Sequence, residues 1–351
     1  MLNDTLRRWL SAEANDLDQS AAQSAVLPSR LGDAGLFRIG VPDELGGSGG
    51  AIIDAIEAVS EVARCSLTAA FVFWGHRTYI ELLLQSPQSA LRESQLPDLL
   101  AGKTAGATGL SNAMKFLSGL EELQVTGRED EKGWTVDGRL HWVTNLQRAG
   151  FQVMTVVRPL DDRPPFIAAI ASDLDGVRRS EDLNLMSMRG SATAALDFAQ
   201  VRLDRSAIVH SDAETFLPQV RPRFLGLQCG MALGLTRQVL ENCRERLSRG
   251  HLLYEEWRQL QRSYDDIQTQ LLRGVSQERF TQRPAEMFRL RIALIELALQ
   301  GIQLELVLRG GKAYLSPEGD HFARRWRESA FLPLITPSIM QLRHQLAETA
   351  R

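Results

Sequence analysis

The chain has 351 residues, 44% hydrophobic and 24% charged, the balance of a globular protein long enough for two or three domains and a sizeable core. Its 40 basic and 43 acidic residues leave a net charge of -3 with no basic block, which argues against a nucleic-acid interaction. The three cysteines, Cys65, Cys229 and Cys243, lack CxxC spacing, which argues against a disulfide framework or a zinc site and suits a reducing, cytoplasmic setting.

The N-terminal segment is polar and amphipathic, with Leu2, Leu6, Trp9 and Leu10 at helical spacing and no apolar stretch of a secretory signal. No apolar run approaches the ~20 residues that a membrane helix requires. Residues 1–103 read as a helical domain, with Ala51 to Trp74 as one long apolar-periodic segment. Between its helices, Pro42 and the glycines of LFRIGVPDELGGSGG (Leu36 to Gly50) force a loop. From 104 to 207 the texture changes to short runs around Val125, Trp134–Val136, Phe151–Val157, Pro165–Ala171 and Ala194–Val201, broken by Gly, Asp and Pro. This pattern predicts a central antiparallel β-domain. Over 208–351 the helical period returns, with helices expected near 213–247, 255–279, 284–309 and 320–349, a C-terminal four-helix bundle. The fold class read from this order is α+β, mostly α.

Four patches in this order resemble the acyl-CoA dehydrogenase superfamily. They are Leu36 to Gly50, the Asp137-Gly138 turn followed by His141-Trp142-Val143-Thr144-Asn145, the stretch MSMRGSATAALDFAQVRL (Met186 to Leu203), and VLRGGKAYL (Val307 to Leu315). The resemblance implies a flavin, FAD or alternatively FMN, with Trp142 as a flat apolar wall and Thr144 at the polar edge of the ring, where protein groups tune the cofactor. The second flavin loop of the family reads here as Ala107-Thr108-Gly109-Leu110-Ser111-Asn112, without its Glu-Pro and Gly-Ser-Asp. Thr108 stands for the family threonine, and Ser111 is either a flavin partner or part of an ordinary turn. Arg249 stands near the family position of an arginine that meets the dinucleotide phosphates across a subunit interface, a task suited to a planar guanidinium. Gly310 and Gly311 are read as points of close backbone approach to the cofactor, or as a plain helix cap. The resemblance also implies a homodimer or homotetramer.

Acyl-CoA dehydrogenation needs a positioned carboxylate to take the α-proton. Aligning Gln341 to Arg343 with the terminal helix of the family puts Thr336 where that glutamate belongs and Pro337 where glycine follows it. A minority of members take the base from the first bundle helix, where this chain has Phe224 or Leu225. No Asp or Glu lies between Phe331 and Arg343. His76 reads as structural. Glu328 reads as an ion-pair partner, and Arg324, Arg325 and Arg327 as a solvated or interface face. Arg221 and Arg223 stand as weak candidates for a substrate anion.

The first functional expectation is a flavin oxidoreductase acting on the CH–CH bond of an acyl-CoA or acyl-carrier-protein thioester with an atypical or missing base, passing electrons to an acceptor. The alternatives are a monooxygenase on the same scaffold, fed with reduced flavin by a reductase, and a non-catalytic family member. No catalytic residue is assigned.

Overall fold

The computed structural model describes residues 2–349; the last two residues of the C-terminal segment lie outside it. Five helices come first: α1 (Asp4–Gln19), α2 (Leu27–Asp33), α3 (Ile52–Cys65), α4 (Leu67–Gln85) and α5 (Ser89–Leu100). The expected single segment from Ala51 to Trp74 is two helices. Ser66 leaves helical geometry and caps the second one, its Oγ accepting from the Ala69 N–H at 3.2 Å. Helix α4 is buried on every side from Leu67 to Leu83, which explains its nearly continuous apolar sequence.

A sheet follows, with α6 (Ser111–Phe116) inserted after its first strand. Its strands are β1 (Ala105–Gly109), β2 (Val125–Asp130), β3 (Gly133–Val143), β4 (Phe151–Pro159), β5 (Phe166–Ala171), β6 (Val177–Asp182), β7 (Ala194–Leu203) and β8 (Ile208–His210). The order is β6-β7-β3-β2-β4-β5-β8, with β1 beside β4. Most pairs are antiparallel, as expected, but β4 runs parallel to β1 along its length and to β2 at its end, so the sheet is mixed. The β2–β3 hairpin acts as the crossover that returns the chain in the direction of β1.

The C-terminal helices are α7 (Ala213–Glu245), α8 (Tyr254–Ser276), the short α9 (Arg279–Gln282), α10 (Pro284–Arg309), α11 (Asp320–Ser329) and α12 (Ile339–Thr349). The expected fourth bundle helix over 320–349 is thus two helices. Pro333 and Pro337 lie between them, and neither can continue a helical hydrogen-bond ladder. The N-terminal and C-terminal helices share one hydrophobic core, while a second core lies within the sheet. Gly226, Gly230 and Gly234, one per turn of α7, let α3 approach at backbone distance. A Cβ at Gly234 would stand 2.0 Å from the Ser60 carbonyl oxygen.

Candidate active site

Strand β1 is fixed first, because it ends in the residues that face the cleft. The His76 ring lies against Phe37 with centroids 3.9 Å apart. Its Nδ1 accepts the Gly106 N–H at 3.0 Å, which leaves the Nε2–H to donate to the Leu99 carbonyl at 2.8 Å. Burial holds the imidazole neutral and pushes its pKa down to about 4. Both ring nitrogens are committed to backbone, in agreement with the structural role expected for His76. The Asn145 side-chain amide donates to the Gly106 carbonyl at 2.9 Å and so ties β1 to the end of β3.

Three non-glycine residues here adopt left-handed backbone: Asn145 (φ 64), Met188 (φ 60) and Ala192 (φ 50). Such conformations persist only where surrounding contacts fix them. The Asn145 and Leu146 N–H groups bond the Ser191 and Ala192 carbonyls, each at 3.0 Å. The hydroxyls of Thr144 and Thr193 are 3.1 Å apart, and those of Ser191 and Thr193 are 2.8 Å apart, forming a buried chain of three. Asp18, fully buried on α1, accepts the Met188 N–H at 2.9 Å, the Ser187 hydroxyl, and the Arg327 guanidinium at 2.9 and 2.6 Å.

These elements enclose a cavity of about 430 Å³. Thr108, Ser111, Trp142 and Thr144 from the sheet side line it together with Phe224 from α7 and Thr336 from the α11–α12 connection. Six residues singled out from sequence thus meet in one place. Phe71, Trp74 and Phe331, from the helical part of the chain, line it as well. Trp142, 61% exposed, forms an apolar rim with Met186 and Leu334. Its indole face, left uncovered beside the Thr144–Thr193 hydroxyls, fits a flat ring with a polar edge.

Thr336 is fixed from behind. Gln228 donates to the Thr336 carbonyl at 2.9 Å, while Arg291 donates to the carbonyls of Ile335 at 3.1 Å and Pro337 at 2.5 Å. Arg291 is buried and, among the described residues, meets no carboxylate; burial pushes its pKa down to about 10. Three consecutive carbonyls are therefore held by side chains from α7 and α10.

The readings of the Arg324–Arg325 pair and of Arg221 and Arg223 are corrected. Arg324 and Arg325 are buried, not solvated: Arg325 pairs with Glu305, and Arg324 reaches Glu328 at 3.4 Å. Glu328 is an ion-pair partner, as expected, and also accepts the Leu67 N–H at 3.0 Å; burial pushes its pKa up to about 7. Arg223 is occupied by Glu81 and Glu278, and Arg221 lies over the Phe288 ring, so neither faces the cavity. Arg249, Gly310 and Gly311 also lie away from it, on exposed surface. Gly310 ends α10 with φ 56, and a Cβ at Gly310 or Gly311 would meet nothing within 4 Å.

The family model described as acyl-CoA dehydrogenase, N-terminal domain, matches residues 1–103. The human mitochondrial short-chain specific acyl-CoA dehydrogenase is 23% identical over 250 residues, 69% of this chain and 60% of that protein. Residues 1–103 thus match that family's N-terminal domain, and the family model, the curated relatives and the structural neighbours together support the acyl-CoA dehydrogenase superfamily. Alignments with the first curated relatives of this superfamily span 60%, 58% and 50% of their lengths. Among solved structures, the glutaryl-coenzyme A dehydrogenase complex with glutaryl-CoA superposes with a TM-score of 0.84 at 16% identity, covering 100% of this chain and 94% of that one. KijD3 in complex with FMN and an amino-keto-deoxy sugar nucleotide superposes at 0.79 and 19% identity, covering 99% and 91%. At these identities the superpositions establish the acyl-CoA dehydrogenase fold alone.

Proposed function

We propose that this chain is a flavin-dependent oxidoreductase whose substrate chemistry uses no carboxylate base, which favours the reduced-flavin monooxygenase reading over desaturation of an acyl thioester. One observation carries this reading. Among the described residues the only charged ones lining the cavity are Lys115 and Arg327, and no Asp, Glu or His joins them. Removing a proton beside a thioester carbonyl requires a carboxylate within hydrogen-bond reach. Thr336, and Phe224 or Leu225, read from sequence at the two positions where the family places that group, cannot serve. The nearby carboxylate of Asp18 is committed to Arg327 and backbone, and that of Glu328 to Arg324 and backbone.

A bound flavin would supply two-electron redox chemistry and, once reduced, reactivity with oxygen. The protein contributes the rest. Trp142 covers the ring face, Thr144, oriented by Thr193 and Ser191, holds its polar edge, and Thr108 and Ser111 flank it. The apolar rim excludes water. Arg249, Gly310 and Gly311 would serve dinucleotide phosphates only from a second subunit. FAD therefore goes with a homodimer or homotetramer, whereas FMN needs only one chain. A cytoplasmic location and a flavin reductase as partner complete the proposal. Desaturation of an acyl-CoA or acyl-carrier-protein substrate stays as the second reading, because the curated relatives are acyl-CoA dehydrogenases.

The test is the oxygen reaction. The purified protein is loaded with FAD or FMN, reduced photochemically without oxygen, and mixed with aerated buffer. Prompt oxidation of the bound reduced flavin is expected. Bound flavin that stays reduced in air for minutes overturns the reading.

A further inference from the structure

We propose that the Ser111–Thr336 hydroxyl pair is the polar anchor of a pocket for a neutral aryl substrate that carries a carbonyl oxygen. The inference rests on reading this cavity as the substrate side of the site proposed above. The two hydroxyl oxygens are 2.9 Å apart, and both residues line the cavity. Among the described residues each hydroxyl has only the other as hydrogen-bond partner. Two hydroxyls carry two protons, and their mutual bond uses one. Whichever oxygen donates, the pair keeps one O–H free for a guest acceptor. The clamp of Gln228 and Arg291 on the carbonyls of Ile335, Thr336 and Pro337 holds this donor in place before a guest arrives.

The aryl preference comes from four rings on the same cavity. Phe71 and Trp74 lie parallel within 5°, with centroids 5.7 Å apart. Phe331 meets Phe71 edge-on at 4.8 Å, and Phe224 meets Trp74 edge-on at 5.4 Å. A fifth ring gains edge-to-face or offset contacts that a saturated ring of equal size does not. Neutrality follows from the two cations, since Arg327 is bound by Asp18 and Lys115 by Glu121. Neither cation therefore offers an uncompensated charge to an anionic guest.

Three small probes separate the claims: acetophenone, α-methylstyrene, in which CH₂ replaces the carbonyl oxygen, and cyclohexyl methyl ketone, in which the ring is saturated. Affinities are measured by ligand-observed NMR titration of the full chain with and without FAD or FMN. Wild type is expected to bind acetophenone at least about threefold tighter than cyclohexyl methyl ketone. Ser111→Ala and Thr336→Val alone should each weaken acetophenone by less than about threefold, because one hydroxyl survives. The double variant should weaken it by about tenfold and leave α-methylstyrene within about twofold. Should the double variant not fold, the carbonyl carbon of ¹³C-labelled acetophenone gives the same answer on wild type. When bound it should stand downfield of its position in an apolar solvent such as cyclohexane, and a bound position equal to the apolar one overturns the anchor. Equal losses for acetophenone and α-methylstyrene also overturn it, and a tighter cyclohexyl ketone overturns the aryl preference. A chain that follows the expected pattern yet binds no flavin supports the pocket and sinks the redox reading. A flavin-loaded chain without the pattern sinks the pocket alone.

Discussion

The two walls of the cavity differ in how far they keep the pattern of their family. The sheet wall keeps Trp142, Thr144 and the Arg-Gly-Ser-x-Thr turn, braced by buried hydroxyls and by three residues in left-handed backbone. The helical wall presents Phe224 and Thr336 to the cavity and, among the described residues, no carboxylate. Grip on a flat cofactor and the means to move a proton are therefore separate properties of this fold. On the reading proposed above one survives without the other, and fold alone does not fix the reaction.

The largest expected effect tests how the helical wall is held. Gly234→Ala pushes a Cβ into the Ser60 carbonyl of α3 and should lower unfolding stability by about 3 kcal/mol in urea titration. Gly250→Ala, which meets nothing within 4 Å, should change it by less than about 0.5 kcal/mol. Equal effects would show that the α3–α7 approach does not set this wall.

A pH comparison sets one buried group behind each wall against the other. His76 titrates near pH 4 in the fold and near 6.5 when unfolded, so between these values only the unfolded chain takes up the proton and stability falls as pH drops. Glu328 titrates near 7 in the fold and near 4.5 unfolded, so over that range only the unfolded chain loses the proton and stability falls as pH rises. The two slopes oppose each other between about pH 4.5 and 6.5. Removing one by Glu328→Gln should make stability climb, relative to wild type, by about 2–3 kcal/mol across that window. Parallel curves for the two proteins would contradict the burial argument for Glu328.

On the sheet wall, Trp142→Ala should weaken FAD or FMN binding by roughly fiftyfold in fluorescence titration, the cost of removing a central aromatic contact. A change below about threefold would break the assignment. The smallest effect sharpens the contrast: Thr336→Val should leave flavin affinity within about twofold, since the helical wall is assigned to substrate.

The same contrast governs what could be read from sequence. Trp142 and Thr144 belong to one short contiguous motif, so their pairing was legible before any coordinates, whereas Thr193, which meets Thr144 across 49 residues, was not singled out. The lack of a carboxylate near Thr336 was equally legible, because it is a property of one segment. The supports of both walls were not. Asp18 meets Arg327 across 309 residues, Gln228 meets Thr336 across 108, and Arg291 meets Pro337 across 46, distances at which no local pattern exists. Arg324 and Arg325 read as solvated because charge clusters usually are, and the buried Glu305 and Glu328 that accept them are distant or look ordinary. The helix breaks at Ser66 and at Pro333 and Pro337 carried visible signals, a capping serine and two prolines, but the apolar period around them was continuous and outweighed them.

The most direct test of the central claim is anaerobic titration of the flavin-loaded protein with acyl-CoAs of increasing chain length, followed in the visible flavin bands. A sheet wall that grips flavin and a helical wall without a base predict a bound flavin that no acyl-CoA bleaches. Bleaching by any one of them would contradict the account and require an α-proton base that the cavity does not display.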